Sequence, residues 1–484
     1  MTEDRSNPVG SAGSAGGGPV LPPQTERVFG LLKRYDRPGP RYTSYPTAVE
    51  FEDSYTAATY AERLELANAA SGEPLSFYVH IPFCDERCSY CGCNVVITKK
   101  HEIAVDYLER LFREIDLLAE RLPDRRRLSQ YHWGGGTPTY LSPSQMEQLH
   151  GRVTRHFEID PAAEVAIEVD PRVTTREQIE LLARLGFNRI SMGVQDFDPQ
   201  VQAAVNRDQS EAETRRLYEV CRENGLESIN LDLIYGLPYQ TPTSFQRTIE
   251  SVIDMRPERI AIYSYAFVPW LKAHQKRMDV EKLPDPETKL RLFCIARELL
   301  MGAGYVQIGM DHFALPEDEL ALALGKRRLH RNFMGYTVKM GTDMVGVGVS
   351  SIGDVRASFA QNVKKLSTYY AALDDGRFPV ERGYLLSQDD LLRREVITRL
   401  MCNFFLDRGE VERQFKIEFG SYFATELSEL AEQDGPVDHG FLKMDDDHLQ
   451  VVGDGRLFIR NICMVFDRYL RTKKPGQKMF SRTV

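Results

Sequence analysis

No run of apolar residues in this 484-residue chain approaches the ~20 that a membrane-spanning helix needs. The first 28 residues are rich in Gly, Ser and Pro and lack the apolar centre of a targeting peptide, so they read as a disordered tail. Positive charge is in deficit. The formal net charge is −9, which leaves no general attraction to nucleic acid or to an anionic membrane. An anionic substrate must therefore be met by locally placed Arg, Lys or His. One local exception is basic (Arg456, Arg460, Arg468, Arg471, Lys473, Lys474, Lys478 and Arg482), and such a stretch reads as a solvated face or tail. Cysteines are also few. Of the eight, Cys221, Cys294, Cys402 and Cys463 stand alone in apolar, mostly helical contexts and read as small core residues. A disulfide framework suits small secreted chains and is not expected at this length. With 42% hydrophobic and 27% charged residues, the composition is that of an ordinary globular protein of two or three domains in a reducing cytoplasm.

The other four cysteines fall within ten residues, Cys84-Asp-Glu-Arg-Cys88-Ser-Tyr-Cys91-Gly-Cys93. Three of them have the C-x₃-C-x₂-C spacing that wraps a short loop around a cubane iron–sulfur cluster. Three thiolates on four irons leave one iron open, and an open iron holds and activates a small molecule. Zinc is the rival at this point. Structural zinc sites usually draw on a second, distant knuckle, and the sequence has none.

From Phe77 to about Ile308, short apolar strands alternate with amphipathic helices. The expected strands are 77–81, 130–133, 165–169, 189–194, 228–234 and 259–267. Leu108, Leu111, Phe112, Ile115 and Leu118 form one helical stripe between the first two. Gly186 and Gly225 read as left-handed caps after helices 179–185 and 211–224. Six β–α units with right-handed crossovers give an α/β fold, a partial (β/α)₆ barrel. Chemistry in such a barrel lies at the C-terminal strand ends. There the sequence places Glu168 and Asp170, then Gln195 and Asp196, then Asp232, then Ser264. These make a polar bowl, and the cysteine loop opens into it from strand one. At the end of strand two, His132-Trp-Gly-Gly-Gly-Thr-Pro-Thr139 offers glycines that let backbone groups approach a ligand.

After about Leu385 the pattern changes to a smaller α+β C-terminal domain. Helices are expected at 393–403 and 422–432, a hairpin at 441–453 turning at Asp445–Asp447, and one closing helix near 458–470. Its shape is winged-helix-like, but without an Arg- and Lys-rich recognition helix DNA binding is discounted. The expected division is thus a tail (1–28), an N-terminal segment packing on the barrel (29–75), the barrel (76–384) and the C-terminal cap (385–484).

Tyr78-Val-His80-Ile-Pro-Phe-Cys84 and the cysteines that follow it resemble the signature of the oxygen-independent coproporphyrinogen III dehydrogenases. These are radical S-adenosylmethionine (SAM) enzymes. Gly39–Thr47, Ile308–Ala314, Arg331–Tyr336 and Arg460–Met464 resemble further motifs of that family, so the likeness runs over about residues 30–484. The resemblance implies that Cys84, Cys88 and Cys91 bind a [4Fe–4S] cluster. One SAM would chelate the open iron and meet Tyr78, Gly135, Glu168 and Ile352, with Tyr78 and Glu168 nearest the chemistry. A second SAM would meet Tyr90, Gly136, Thr137, Gln195, Arg207, Asp232 and Ala266. Cys93 matches a family cysteine that does not ligate the cluster. For Arg207 the competing reading is a surface ion pair with Asp208 or Glu211.

The implied reaction is oxidative decarboxylation of two propionates of coproporphyrinogen III to the vinyl groups of protoporphyrinogen IX. A 5′-deoxyadenosyl radical is the hydrogen acceptor, since a C–H bond of this kind is too strong for acid–base catalysis. A flavodoxin- or ferredoxin-like electron donor, an electron acceptor and a monomeric state go with the family. Arg41, His312 and Arg331 are expected to anchor propionates. Two related readings remain at this point: a haem-binding chaperone without dehydrogenase activity, and a methyltransferase that opens the haem ring. The chaperone relatives typically lack the cysteine matching Cys93 and the 41–47 segment, both of which this chain has.

Overall fold

The computed structural model describes residues 23–339, 343–472 and 480–483. Most of the Gly-rich tail and Lys473, Lys474 and Lys478 of the basic stretch lie outside the described residues.

Six parallel strands form the centre: β1 (Leu75–Ile81), β2 (Arg127–Gly135), β3 (Glu158–Val169), β4 (Arg189–Gln195), β5 (Ser228–Tyr235) and β6 (Arg259–Ser264). Each pairs with its sequence neighbour in order. A seventh parallel strand, β7 (Asp343–Val347), joins the free edge of β1. Short antiparallel strands extend both edges to a 12-stranded sheet, which the sequence periodicity did not predict. The sheet is an open barrel. Strand six stops at Ser264, three residues earlier than expected, and the chain turns outward.

The helices follow from the same pattern. Helix Ile103–Arg121 buries Leu108, Leu111, Ile115 and Leu118 against the sheet, each worth about 1.5–3 kcal/mol. Phe112 is only partly buried at its margin. Helices Arg176–Arg184 and Glu211–Glu223 start in capping boxes, at Thr175 and Ser210, and are followed by Gly186 and Gly225 at φ +85° and +75°. The four isolated cysteines are all buried. No helix among the described residues is long and apolar enough to cross a membrane.

The C-terminal unit is α+β. Helix Gln388–Asn403 packs beside a three-stranded antiparallel sheet of Phe405–Asp407, His448–Val451 and Leu442–Met444, with His448–Val451 in the centre. The single closing helix expected near 458–470 is two, Ile459–Val465 and Arg468–Thr472. Asp467 breaks it, because its carboxylate accepts the amides of Tyr469 and Leu470 and starts a new helix.

The N-terminal segment straddles both units. Helix Ala57–Asn68 buries Tyr60 and Leu64 in the barrel core, whereas Tyr42 and Tyr45 enter the core of the C-terminal unit. Buried Arg460 fixes this strap by donating to the carbonyls of Gly39, Pro40 and Thr483.

Candidate active site

The C-terminal ends of the strands enclose a cavity of about 710 Å³. Cys84, Cys88, Cys91 and Cys93 line one side. Gly135, Gly136, Thr137, Glu168, Gln195, Arg207 and Asp232 line the rest, together with Tyr90. These were predicted from strand ends and motifs far apart in sequence, and the fold brings them to one space. Tyr78, Ala266 and Ile352 do not line it.

The cysteine loop is held from three sides. The Ser89 amide donates to the Val205 carbonyl, Asn206 donates to Arg87, and Thr98 donates to Cys84. Cys84 Sγ lies 3.4 Å from Thr137 Oγ1. Burial pushes the Cys84 thiol up to about 11, while a hydrogen bond from Cys93 holds Cys91 down to about 6. Cys93 is exposed and faces the cavity. A tetrahedral zinc, with Zn–S bonds of about 2.3 Å, brings its sulfurs to about 3.8 Å of one another. Among the described residues the only potential ligand trio within 4.8 Å of one another is Asp445, Asp447 and His448, on an exposed turn far along the chain. No three of the thiols stand that close to one another. Three thiols on one short loop facing one cavity are a donor set that suits an iron–sulfur cluster.

Glu168 organises the opposite wall. Its Oε2 accepts the Gly135 amide at 3.0 Å, and Oε1 lies 3.4 Å from His132 Nε2. Burial raises its pKa, but these hydrogen bonds outweigh burial and keep the carboxyl below its ordinary value. The glycine run has a reason in this packing. A Cβ at Gly134 would lie 2.9 Å from the Glu168 carboxyl, and one at Gly135, where φ is +116°, would lie 2.6 Å from the His80 ring. At Gly136 it would meet the Phe83 carbonyl at 2.7 Å. The glycines admit these protein groups while Gly135 and Gly136 still face the cavity.

Burial lowers the His80 pKa, so the ring is neutral at pH 7. Its Nε2 meets the Asn94 carbonyl at 3.1 Å and must donate there. Nδ1 is then the acceptor for the Tyr78 hydroxyl, also at 3.1 Å. Tyr78 stacks on His132, with ring centroids 5.8 Å apart.

The third wall carries paired charge. Arg207 is 5% exposed and is no surface ion pair. Its Nη1 contacts Asp170 at 3.3 Å and Cys88 Sγ at 3.5 Å, its Nη2 donates to Gly193 at 2.6 Å, and its buried Nε has no hydrogen-bond partner among the described residues. Arg172, which sequence reasoning missed, donates to Asp170 at 2.6 Å and reaches Cys88 Sγ at 3.8 Å. Gln195 sits at a bulge in β4 with φ +70°, a left-handed conformation costly for this residue, which re-aims it into the cavity. Burial pushes Asp232 up to about 6, although Ser191 and Asn230 both donate to it.

Ala266 and Tyr90 are joined by Gln275, whose amide donates to both carbonyls at 3.2 Å. Gln275 was also missed. It lies in a short 3₁₀ turn after β6 whose polarity resembles any loop. Ile352 opens a short strand beside β7.

The expected anchors form a separate group behind Tyr263. His312 contacts Asp311 at 2.7 Å, and Arg331 donates to the Arg41 carbonyl at 2.6 Å. Burial opposes ionisation of Asp311, but His312, Arg331 and Arg41 hold its carboxyl down to about 2. Arg41 lines a neighbouring cavity of about 40 Å³ with Tyr235, Asp311 and Arg460, and none of the three expected anchors lines the main cavity.

Comparison with known proteins agrees with this geometry. Residues 78–252 match the radical SAM superfamily model. The oxygen-independent coproporphyrinogen III oxidase of Pseudomonas aeruginosa is 44% identical over 456 residues, covering 94% of this chain and 98% of that protein. That of Escherichia coli is 44% identical over 465 residues, covering 95% and 99%. The solved structure of coproporphyrinogen III oxidase from Escherichia coli, described as a radical SAM enzyme, superposes with a TM-score of 0.85 over 89% of this chain and 97% of that one. The chain belongs to the oxygen-independent coproporphyrinogen III oxidases, within the radical SAM superfamily.

Proposed function

We propose that this protein converts coproporphyrinogen III to protoporphyrinogen IX, by oxidative decarboxylation of two propionates in haem and porphyrin biosynthesis. The observation that carries this reading is the single cavity that joins the three-cysteine loop to the Glu168, Gln195, Arg207 and Asp232 wall. When bound, a [4Fe–4S] cluster and SAM supply an electron and a 5′-deoxyadenosyl radical, the oxidant that a propionate C–H bond requires. Cys84, Cys88 and Cys91 would hold the cluster, and all three thiols face the one cavity.

The chain's own residues supply position and electrostatics. Tyr78, Gly135, Glu168 and Ile352 would hold the first SAM. Glu168 is ionised and already locked by His132 and Gly135, so it accepts ligand hydrogen bonds without reorganising. Tyr90, Gly136, Thr137, Gln195, Arg207, Asp232 and Ala266 would hold a second SAM. The unpartnered Nε of Arg207 is the buried donor that a carboxylate would satisfy. Asp170 keeps that guanidinium charge in place before any ligand arrives.

In this reading the protein is a cytoplasmic monomer served by a flavodoxin- or ferredoxin-like donor and a separate electron acceptor. Its domains are the N-terminal segment (29–75), the barrel (76–384) and the C-terminal cap (385–484), preceded by the tail (1–28). Anaerobic incubation with SAM, a reductant and either coproporphyrinogen III or haem, followed by mass analysis, tests it. Loss of two CO₂ from coproporphyrinogen III is expected. Tight haem binding without turnover, or a methylated linear tetrapyrrole, would overturn the reading.

A further inference from the structure

After β6 the chain swings out and returns over the cysteine loop, and this return clamps the loop's backbone. Gln275 donates to the Tyr90 carbonyl, His274 Nε2 meets the Cys91 carbonyl at 2.9 Å, and Lys272 reaches the Cys93 carbonyl at 3.4 Å. The Gln275 carbonyl oxygen in turn accepts the Val268 amide at 2.7 Å, which closes the return.

Its outward surface is unusual for this protein. Trp270 and Leu271 are adjacent and 42% and 63% exposed. Positive charge gathers beside the return. Arg87, Lys272 and Arg277 all stand close enough to His274 to act on it electrostatically, and all three are positive. Lys364 stands close enough to Lys272 and Arg382 to be disfavoured by them, with Glu381 opposing. On the other flank of the loop the acids are already engaged, Glu86 with Lys99 at 3.1 Å and Asp85 near His101 at 3.5 Å. A group of cations beside an exposed apolar pair thus sits on a chain whose net charge is −9.

We propose that this patch is the docking face for an acidic, low-potential, one-electron carrier protein. The inference rests on the radical SAM reading above, which requires electrons from outside the chain. The step transferred here is an electron alone: the carrier loses one, the cluster gains one, and no bond or proton changes hands. An acidic carrier is repelled by the chain as a whole, so a local group of cations fixes where it lands and how fast. Electron-transfer complexes are small and transient, below about 1,200 Å² of buried surface, and an apolar pair with a charged rim is enough to orient one. On the same return, His274 gives a hydrogen-bonded route to the backbone of a cluster-ligand cysteine.

The test reverses charge at two exposed side chains that do not touch the cysteine loop, in the double variant Arg277→Glu/Lys364→Glu. The cluster-loaded protein is mixed with an acidic flavodoxin in its hydroquinone form, and cluster bleaching is followed by stopped flow, with dithionite as the small-molecule control. The second-order rate with flavodoxin is expected to fall about tenfold or more at low salt, with the gap closing as salt rises. Binding of oxidised flavodoxin to cluster-free protein, read by fluorescence anisotropy, is expected to weaken in parallel. Dithionite reduction and the KM for coproporphyrinogen III should not change. Equal flavodoxin rates and affinities in both proteins would overturn the proposal. A raised KM in the dithionite assay would also overturn it, by assigning the patch to the tetrapyrrole. Failure of wild-type protein to bind a cluster would refute the earlier reading instead, and is visible before any carrier is added.

Discussion

The cavity over the cysteine loop and the small pocket around Asp311 both bury charge, but they use it differently. In the cavity, Glu168, Asp232 and Gln195 are held by a few neighbours and still face about 710 Å³ of open space. Around Asp311, the carboxylate, His312, Arg331 and the Arg41 backbone engage one another, and only about 40 Å³ remains. Charge preorganised toward a void stands ready for a ligand, whereas charge closed upon itself braces the fold. Two of the three residues expected to anchor propionates, His312 and Arg331, fall in the bracing group. Arg41 lies at its edge, where its guanidinium donates to the Ser264 carbonyl at the end of β6.

This contrast is open to test by asking which region loses stability and which loses affinity. Arg331→Ala leaves Asp311 buried with one cation fewer. Because it also strips the Arg41 carbonyl of its donor, it is expected to cost about 1–3 kcal/mol of folding stability, read by denaturant titration, with SAM affinity unchanged in the protein that remains folded. A stability change under 1 kcal/mol would end the brace reading. Glu168→Gln should do the reverse. Loss of a charge-assisted hydrogen bond of about 1.5–3 kcal/mol weakens SAM binding about ten- to a hundredfold, measured by equilibrium dialysis, with little change in unfolding. Arg41→Ala separates the two roles at the boundary. A rise of about tenfold in the KM for coproporphyrinogen III, worth about 1.4 kcal/mol, would keep it as an anchor. An unchanged KM and turnover would withdraw it. The smallest effect is expected at Asp232. Its folded pKa is raised to about 6, so the free protein carries a proton there below that pH and a carboxylate above it. Ligand affinity on that wall should rise as pH passes upward through about 6, and Asp232→Asn should flatten the profile without moving binding at pH 5.

The sequence announced the cavity and hid the pocket for a physical reason. Strand alternation and helical stripes follow from local periodicity, and in a parallel barrel successive strand ends must gather on one face. Glu168, Gln195 and Asp232 were therefore legible as neighbours before any coordinates, and the cysteine loop was legible from spacing. Arg207 was ambiguous, because sequence cannot tell a buried guanidinium from an exposed one beside Asp208. Its partner Arg172 carried no signal of its own, being one more polar residue in a turn. The pocket gathers Arg41, Asp311 and Arg460 across some four hundred positions, and no period connects them. Edge strands of three residues and the split at Asp467 were missed for a similar reason, since both depend on tertiary hydrogen bonds and on segments too short for a pattern.

The central claim is that three cysteines, and not four, hold the cluster, so that one iron is open to SAM. Cys93 faces the same cavity and hydrogen-bonds Cys91, which makes it the natural rival for a fourth ligand. Electron paramagnetic resonance of the reduced cluster, with and without SAM, in wild-type, Cys88→Ser and Cys93→Ser proteins decides the matter. The expected result is a signal that changes on adding SAM in wild-type and Cys93→Ser proteins, and no [4Fe–4S] signal with Cys88→Ser. A wild-type signal indifferent to SAM, or loss of the cluster with Cys93→Ser, would contradict it.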